Sequence, residues 1–439
     1  MSTTIEPLGR QDLEILRLES GTIAGHALKI ALVRPTQQAA RLDVEALRDR
    51  VAERLPNAPR LRCKLRARHG RCGAAWVDDP TFDVREHVRP LAVSEPVSED
   101  ELRHVVARAL QERLDRSRPL WTLDVLDRTI GGDVCVIWKI HHAMADGVTA
   151  LRFVDQVLWD APTQAQPSAA AAPLPTRTLD RLARALSARR PGRLPPTLRR
   201  ELRRTRQPSP FDGAIGGTRT VAFASLPLGA LKRAAKAQVA TATVNDVVLA
   251  LVAGAIRRSA AAPPLGAVRV KVPVSLHQEG ERLALANRDS FFVISLPVDE
   301  ADPVQRLRRI SAETALCKRT GDALVLDTLL GDLARVAPPL RRTVERLAGH
   351  PRAFTLSVSN LAGPVQRPTL LGAPVRALYS IAEVGERHGL RVTVVSMADE
   401  LHFGLSADSA IVSDLDPLLN GIRAEASALL EHAAAAENY

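Results

Sequence analysis

Apolar residues recur at helical spacing in several stretches of the chain. In residues 43–55, Val44, Leu47, Val51 and Leu55 fall on one side of a helix, as expected where a helix packs one face on a core. Ser98 and a glutamate three residues later form a capping-box pattern ahead of a second helix. The same reasoning predicts helices at residues 99–114, 247–256 and 416–436.

Shorter apolar runs bounded by turn residues predict β-strands. They are Thr122–Asp127, Val134–Ile140, Val268–Leu276, Phe291–Pro297, Phe354–Leu361, Leu390–Ser396 and Leu401–Leu405. Gly131 and Gly132 separate the first two runs, and Ala398–Glu400 separates the last two, so each pair is predicted to form a hairpin. Strands mixed with helices in this way indicate an α/β protein with mixed sheets.

The length of 439 residues exceeds that of one ordinary domain and favours two. Residues 161–216 are rich in alanine, proline and arginine and poor in aromatic residues. We therefore expect an N-terminal domain over residues 1–160, a crossover linker over 161–216 and a C-terminal domain over 217–439.

The net charge of +11 is concentrated in the linker. Residues 177–206 contain eleven arginines and two acids, which gives +9 in this segment. A solvated linker is one interpretation, and a basic helix that contacts a membrane or lipid-droplet surface is the alternative. We do not expect nucleic-acid binding, because aromatic residues do not alternate with the basic ones.

The cysteines and the N-terminus indicate a cytoplasmic protein. Cys63, Cys72, Cys135 and Cys317 contain no CxxC pair, and the first ten residues have no apolar core of a signal peptide. No apolar run approaches the about 18 residues of a membrane span.

The candidate chemistry lies in the sequence His-His-Ala-Met-Ala-Asp-Gly at residues 141–147. If the strand that begins at Val134 continues to its end, His141 and His142 point to opposite faces. One histidine can then face a cleft while the other is structural, and alternation alone does not decide which. Histidine suits a general base because its ordinary pKa of about 6.5 lies near cellular pH.

The residues after the histidines form a turn. Asp146 can meet an imidazole or an arginine that fixes the loop, and Gly147 permits a positive φ or a close backbone approach. A metal site formed by His141, His142 and Asp146 is less favoured, because adjacent strand residues diverge. A purely structural histidine pair is another alternative, and a nucleophilic serine lacks the GxSxG sequence.

The seven-residue sequence resembles the HHxxxDG motif of acyltransferases that share the chloramphenicol acetyltransferase-like fold. Further segments are similar to the bacterial wax ester synthase/diacylglycerol acyltransferase family. They are Pro59–Leu65, Arg118–Trp121, Thr243–Ala250, Pro273–Ser275, Asn287–Arg288 with Leu296–Pro297, Ser359–Pro364 and Phe403–Asp408. The resemblance extends over nearly the whole chain.

This resemblance implies an activity and a site. An acyl group would pass from acyl-CoA to the hydroxyl of a long-chain alcohol or a diacylglycerol, with no metal and no cofactor. His142 would be the base and Asp146 would hold the loop, with His141 beside them in the catalytic motif. Two chloramphenicol acetyltransferase-like domains would enclose the reacting groups in an interdomain channel.

Other residues of the matched segments are candidates for substrate binding. They are Trp121, Asn245, Asp246, Ser275, Asn287, Ser359 and Asn360. For Trp121 core packing is favoured over lining the channel, and Asn245 and Asp246 are favoured at a helix start in any protein. Ser359 and Asn360 end a predicted strand and are placed to line the channel or to donate to an oxyanion.

The chain also departs from the family pattern. Gly9 and Arg10 replace a Ser-Pro pair, His277 stands where the family has an arginine, and Ala286 replaces a glycine. If that arginine anchors the motif aspartate, Asp146 needs another partner. Two further functions stay open: a lipid- or acyl-CoA-binding paralogue without turnover, and an acyltransferase for a specialised metabolite.

Overall fold

The computed structural model describes residues 5–36, 42–67, 73–93, 96–163, 209–259, 268–275, 289–320 and 353–437, with residues 203, 205 and 350. The first half contains β1 (Ile5–Pro7), α1 (Arg10–Leu18), β2 (His26–Val33), α2 (Val44–Arg54), β3 (Cys63–Ala67), β4 (Ala74–Asp78), α3 (Val84–His87), β5 (Val88–Leu91), α4 (Glu99–Gln111), β6 (Trp121–Leu126), β7 (Val134–His141) and α5 (Gly147–Val157). Two short 3-10 turns, Leu55–Asn57 and Pro59–Arg62, precede β3.

The second half contains β8 (Arg219–Pro227), α6 (Leu228–Gln238), α7 (Val244–Arg258), β9 (Val268–Ser275), β10 (Asp289–Leu296), α8 (Pro303–Thr320), β11 (Leu356–Ala362), β12 (Thr369–Leu370), β13 (Ala373–Ala382), β14 (Leu390–Met397), β15 (Glu400–Asp408) and α9 (Asp416–Glu437). The predicted strands and helices that fall in described residues are therefore confirmed, with ends shifted by a few residues. Most of the basic segment 177–206 lies outside the described residues.

Side-chain caps explain where several helices begin. Asp43 accepts a hydrogen bond from the backbone N–H of Glu45 at the start of α2. Ser98 and Glu101 form the predicted capping box of α4, and a second capping box, from Thr243 to Asp246, begins α7. Each cap satisfies N–H groups that the first helical turn leaves without an intrahelical acceptor.

Two six-stranded sheets dominate the molecule. The first has the order β12-β13-β2-β7-β6-β5 and the second has the order β10-β9-β11-β14-β15-β8. Both are mixed, because β5 runs parallel to β6, and β11 runs parallel to β9 and β14, among antiparallel neighbours. A small sheet of β1, β4 and β3 completes the first half.

The second half of the chain contributes two strands to the first sheet. Although β12 and β13 follow residue 368 in the chain, β13 pairs with β2 from Val375↔Val33 to Ala382↔Ala27. The predicted division into residues 1–160 and 217–439 does not account for the pairing of β13 with β2. Nothing local in the sequence of β13 specifies which sheet the strand joins. The first sheet thus contains strands from both halves of the chain.

Where the sheets meet, β13 of the first sheet packs closely on β15 of the second. A Cβ atom at Gly404 would lie 2.1 Å from the backbone oxygen of Ser380. Only glycine permits this approach without a shift of one backbone, and Ser406 Oγ donates to the oxygen of Ala382 at 2.7 Å beside it. Gly404 is therefore a spacer at the contact between the sheets.

A buried ionic cluster crosses the same contact. Arg219, the first residue of β8, donates from Nε to Glu383 Oε1 at 2.7 Å and from a terminal nitrogen to Asp408 Oδ2 at 3.0 Å. Its other terminal nitrogen donates to the oxygen of Thr22, and Glu383 accepts from the N–H of Ala24 at 3.3 Å. We call Arg219, Glu383 and Asp408 the Arg219 cluster.

We expect Gly404→Ala to destabilise the protein by about 1–3 kcal/mol, the usual cost of overpacking. The added methyl group would meet the backbone of β13, which cannot move without disturbing its pairing with β2. The free energy of unfolding, from urea denaturation, measures the effect. Gly217→Ala is the control, since nothing lies within 4 Å of a Cβ atom there; equal stability of the two variants would contradict the role of Gly404.

Candidate active site at the end of the seventh strand

The strand β7 ends at His141, and His142 begins the loop that leads to α5. The loop stays anchored, because the N–H of His142 donates to the oxygen of Gly25 at 2.9 Å. The N–H of Met144 in turn donates to the oxygen of His141 at 2.8 Å. The backbone thus fixes both histidines before their side chains make any contact.

His141 is committed to structural contacts. Its Nδ1 accepts from the N–H of Ala143 at 3.0 Å, so Nε2 carries the proton and faces Glu19 Oε1 at 2.8 Å. Burial opposes the charge on Glu19, but hydrogen bonds from His141 and Arg116 lower the pKa of Glu19 to about 2. The carboxylate therefore holds His141 in one tautomer and orientation.

Gly25 is required next to this histidine. Its φ is +71°, in the left-handed region that favours glycine. A Cβ atom there would also lie 2.8 Å from His141 Nε2. The residue that holds the backbone of His142 thus has no side chain because the ring of His141 occupies that space.

His142 lines a large cavity, which His141 does not. Burial, together with the nearby cations Arg391 and Lys29, lowers the pKa of His142 to about 3, while the carboxylate of Asp146 opposes this shift. The imidazole is therefore neutral near pH 7, the form in which it can accept a proton. His142 lies one residue past the end of β7, and the cavity identifies this second histidine as the one that faces open space.

Asp146 is buried and begins α5. Its Oδ1 accepts from the N–H of Thr149 at 2.7 Å, which makes it the N-cap of the helix. The next residue, Gly147, lies where a Cβ atom would approach Leu361 of β11 to 3.0 Å. The close approach, rather than a positive φ, is the constraint on Gly147.

The cavity has a volume of about 1430 Å³ and is bounded by both halves of the chain. The first half contributes α1, β2 and the loop of His142, and the second contributes α6, the start of α7, β9, β10, β11, β13 and β14. The predicted channel between the halves is therefore present. Of the substrate-binding candidates, Asn245, Ser359 and Asn360 line it.

Two other candidates lie elsewhere. Trp121 is fully buried, donates from Nε1 to the oxygen of Leu61 at 2.7 Å and packs against Trp138. Trp121 is therefore a core residue, the interpretation favoured from the sequence, and it is not a substrate-binding residue. Asp246 closes the capping box of α7 and accepts from Thr314 Oγ1 at 2.6 Å, so it too is structural.

The last two candidates, Ser275 and Asn287, fall at or beyond the limits of the described residues, so their side chains are not placed. Ser275 ends β9, opposite Asp289, but its side chain lies outside the described part of the chain, as does the whole of Asn287. The cavity residues that sequence reasoning missed include seven lysines and arginines. They are Lys29, Lys232, Arg233, Lys236, Lys271, Lys318 and Arg391.

No group of three or more histidine, cysteine or acidic side chains among the described residues is arranged to hold a metal ion. In particular, His141 turns to Glu19 while His142 turns to the cavity. Within the same described ranges, no helix has the length and apolar character needed to cross a membrane.

We expect His142 to make stability depend on pH in acid. Its folded pKa of about 3 lies below the ordinary value, so the unfolded chain binds more protons and stability falls as pH decreases from about 6.5. His142→Gln should reduce the slope of the unfolding free energy between pH 4 and 6 by about 1.4 kcal/mol per pH unit. Urea denaturation at several pH values tests this; an unchanged slope would show that His142 is not buried in its neutral form.

Comparison with known proteins identifies the relatives of this fold. The sequence model described as the wax ester synthase/diacylglycerol acyltransferase catalytic domain matches residues 8–248, and the model of the C-terminal domain of that family matches residues 285–429. A diacylglycerol O-acyltransferase homologue of Mycobacterium tuberculosis (strain H37Rv) is 30% identical over 461 residues, covering 97% of each chain.

Solved structures agree on the fold. The wax ester synthase/diacylglycerol acyltransferase from Marinobacter aquaeolei VT8 matches with a TM-score of 0.72 at 24% identity, over 98% of this chain and 100% of that one. The first condensation domain of the calcium-dependent antibiotic synthetase matches with a TM-score of 0.63 at 16% identity, over 98% and 97%. The chain belongs to the wax ester synthase/diacylglycerol acyltransferase family.

Proposed function

We propose that this member of the family transfers a long-chain acyl group from acyl-CoA to the hydroxyl of a diacylglycerol or a fatty alcohol. The observation that carries the proposal is the position of His142, which presents a neutral imidazole to a cavity bounded by both halves of the chain. Acyl-CoA serves as a substrate, and the reaction needs no cofactor and no metal.

The chemical step is a direct transfer with His142 as general base. The imidazole takes the proton of the acceptor hydroxyl while the oxygen attacks the thioester carbonyl. The tetrahedral oxyanion then expels the CoA thiolate, and protonated His142 returns the proton to that sulfur. The products are the ester and free CoA, and the enzyme is unchanged.

The cavity that His142 lines also carries groups suited to an oxyanion. Asn245 lies in the first turn of α7, whose N-terminal residues line the cavity. A helix N-terminus favours negative charge because its first N–H groups point outward. Ser359 and Asn360 of β11 add polar side chains on the same cavity.

A basic surface at the edge of the cavity suits the phosphates of acyl-CoA. Lys232, Arg233 and Lys236 of α6 are exposed and line the cavity, as does Lys318 of α8. We call these four residues the basic rim. Their charges would attract the phosphates of CoA while its acyl chain extends toward His142.

The acceptor is expected to be poorly soluble in water. Leu18 is 60% exposed and Val365 is 42% exposed, and both side chains line the cavity. Large apolar side chains at an opening favour contact with a lipid. We therefore propose a cytoplasmic enzyme that contacts membranes or lipid droplets at their surface.

We expect His142→Ala to lower kcat by about 10²- to 10⁴-fold, the usual contribution of a positioned base. His141→Ala should retain measurable activity, because His141 faces Glu19 and not the cavity. Labelled acyl-CoA is assayed against a panel of alcohols and diacylglycerols, with products resolved.

Wild-type turnover by His142→Ala would contradict the proposed base. If the wild-type protein binds acyl-CoA but releases no CoA with any acceptor, the chain is a binding paralogue instead. If the enzyme transfers the acyl group only to a specialised metabolite, the role of His142 as base stands, but the proposed lipid acceptor is wrong.

We expect reversal of charge on the basic rim to weaken donor binding. Lys232→Glu with Lys236→Glu places two acids one helical turn apart and should raise KM for acyl-CoA about tenfold. KM for the acyl thioester of N-acetylcysteamine, which has no phosphate, should stay unchanged.

Arg257→Glu is the matched control, since Arg257 is exposed on α7 but does not line the cavity. An equal rise in KM for both thioesters, or the same effect from Arg257→Glu, would show that the basic rim does not bind the donor phosphates.

A further inference from the structure

A buried lysine lies in the wall of the cavity. Lys29 belongs to β2, a strand between β13 and β7 in which all eight residues are buried. Gly25, Ala27 and Lys29 alternate along the chain, and all three line the cavity. The cost of burying the charge lowers the pKa of Lys29 to about 7. An apolar side chain at this position would carry no such cost.

The described residues supply one hydrogen-bond acceptor for this lysine. Its Nζ donates to Ser380 Oγ at 2.8 Å, directly across the register of β2 and β13. An ammonium group has three N–H donors, so two of them have no acceptor among the described residues. Ser380 is also buried and lines the cavity, and its hydroxyl hydrogen has no acceptor within the same ranges. Donors therefore outnumber acceptors at this part of the wall.

Another buried lysine, Lys139 of β7, is satisfied by the protein itself. It donates to the backbone oxygen of Glu112 at 3.1 Å, and a carboxylate oxygen of the same residue lies 3.9 Å away. Lys139 does not line the cavity. Lys29 instead faces a neutral hydroxyl and open space, so stabilisation of the fold does not account for its charge.

Lys29 and Ser380 lie deep in the cavity, where the two sheets meet. The backbone oxygen of Ser380 is the atom that a Cβ at Gly404 would approach to 2.1 Å. Thr393, which is opposite Gly404 in β14, lines the cavity from the second sheet and adds a hydroxyl. Lys29 is also close enough to the base to contribute to the lowered pKa of His142. A substrate whose reacting hydroxyl is at His142 thus has these donors near its neighbouring atoms.

We infer that Lys29 and Ser380 bind an ester carbonyl of the acceptor and thereby select a diacylglycerol over a fatty alcohol. A carbonyl oxygen accepts hydrogen bonds and donates none, which suits two adjacent donors. A diacylglycerol has two such carbonyls beside its free hydroxyl. A fatty alcohol would place hydrocarbon against the buried nitrogen and leave its N–H groups without an acceptor. The inference rests on the proposed function and narrows its acceptor.

Two acceptors that differ in their carbonyls test this inference. The diester dioctanoylglycerol and the diether dioctylglycerol have the same free hydroxyl and similar chains, but the diether has no carbonyl. We expect the wild-type protein to favour the diester about 10- to 100-fold in kcat/KM, the usual effect of a hydrogen bond to a charged group. The dissociation constant of each acceptor is measured by calorimetry without a donor.

Substitutions then assign the preference to its residues. Lys29→Met removes the N–H donors at similar length and should lower the preference for the diester about tenfold or more, with little change in KM for acyl-CoA. Ser380→Ala should lower the preference in the same direction but by less, since the hydroxyl is neutral. Lys139→Met is the matched control and should keep the wild-type preference, because Lys139 does not line the cavity.

The outcomes separate this inference from the proposed function. Equal use of the diester and the diether by the wild-type protein would overturn the inference without any variant, while the acyl transfer itself would stand. An unchanged preference in Lys29→Met would also overturn it, and a raised KM for acyl-CoA in that variant would place Lys29 at the donor instead. If calorimetry shows the expected preference while no acyl transfer occurs, the proposed function fails and the carbonyl subsite stands.

Discussion

The Arg219 cluster is the interaction on which the site depends. One guanidinium joins Glu383 beyond β13, Asp408 at the end of β15 and the backbone of Thr22 before β2. Removing one partner would leave an uncompensated buried charge, which typically costs about 3–5 kcal/mol. The cluster thus fixes the two sheets and the segment before β2 in one arrangement.

The position of the base follows from that arrangement through backbone contacts. Glu383 holds the N–H of Ala24, and the next residue, Gly25, accepts from the N–H of His142. Only a few covalent and hydrogen bonds therefore separate the contact between the sheets from the imidazole. The position of the base therefore depends on side chains at the contact between the sheets, among them Glu383, which itself lines the cavity.

Local patterns predicted much of this molecule. The apolar spacing of α2 and the capping box of α4 at Ser98 and Glu101 were predicted, because each depends on residues within a few turns of one helix. The best-predicted part of the site is the contiguous motif at residues 141–147. Asp146 was expected to organise the loop, and it caps α5.

Long-range partners were not predictable in the same way. The strand β13 joins the first sheet through pairing with β2, more than 300 residues earlier in the chain. Core packing was favoured for Trp121, but its neighbours Leu61 and Trp138 come together only in the fold and could not be named from the sequence.

The pairing of β13 with β2 also limits how the protein can be cut into fragments. A fragment that ends before residue 369 would leave the N–H and C=O groups of β2 without a neighbour on one side, and exposed strand edges promote aggregation. The complementary fragment would present β13 with no sheet to join. Pairing between β2 and β13 thus protects each strand from self-association. A fragment or fusion of this protein must therefore keep both strands in one chain.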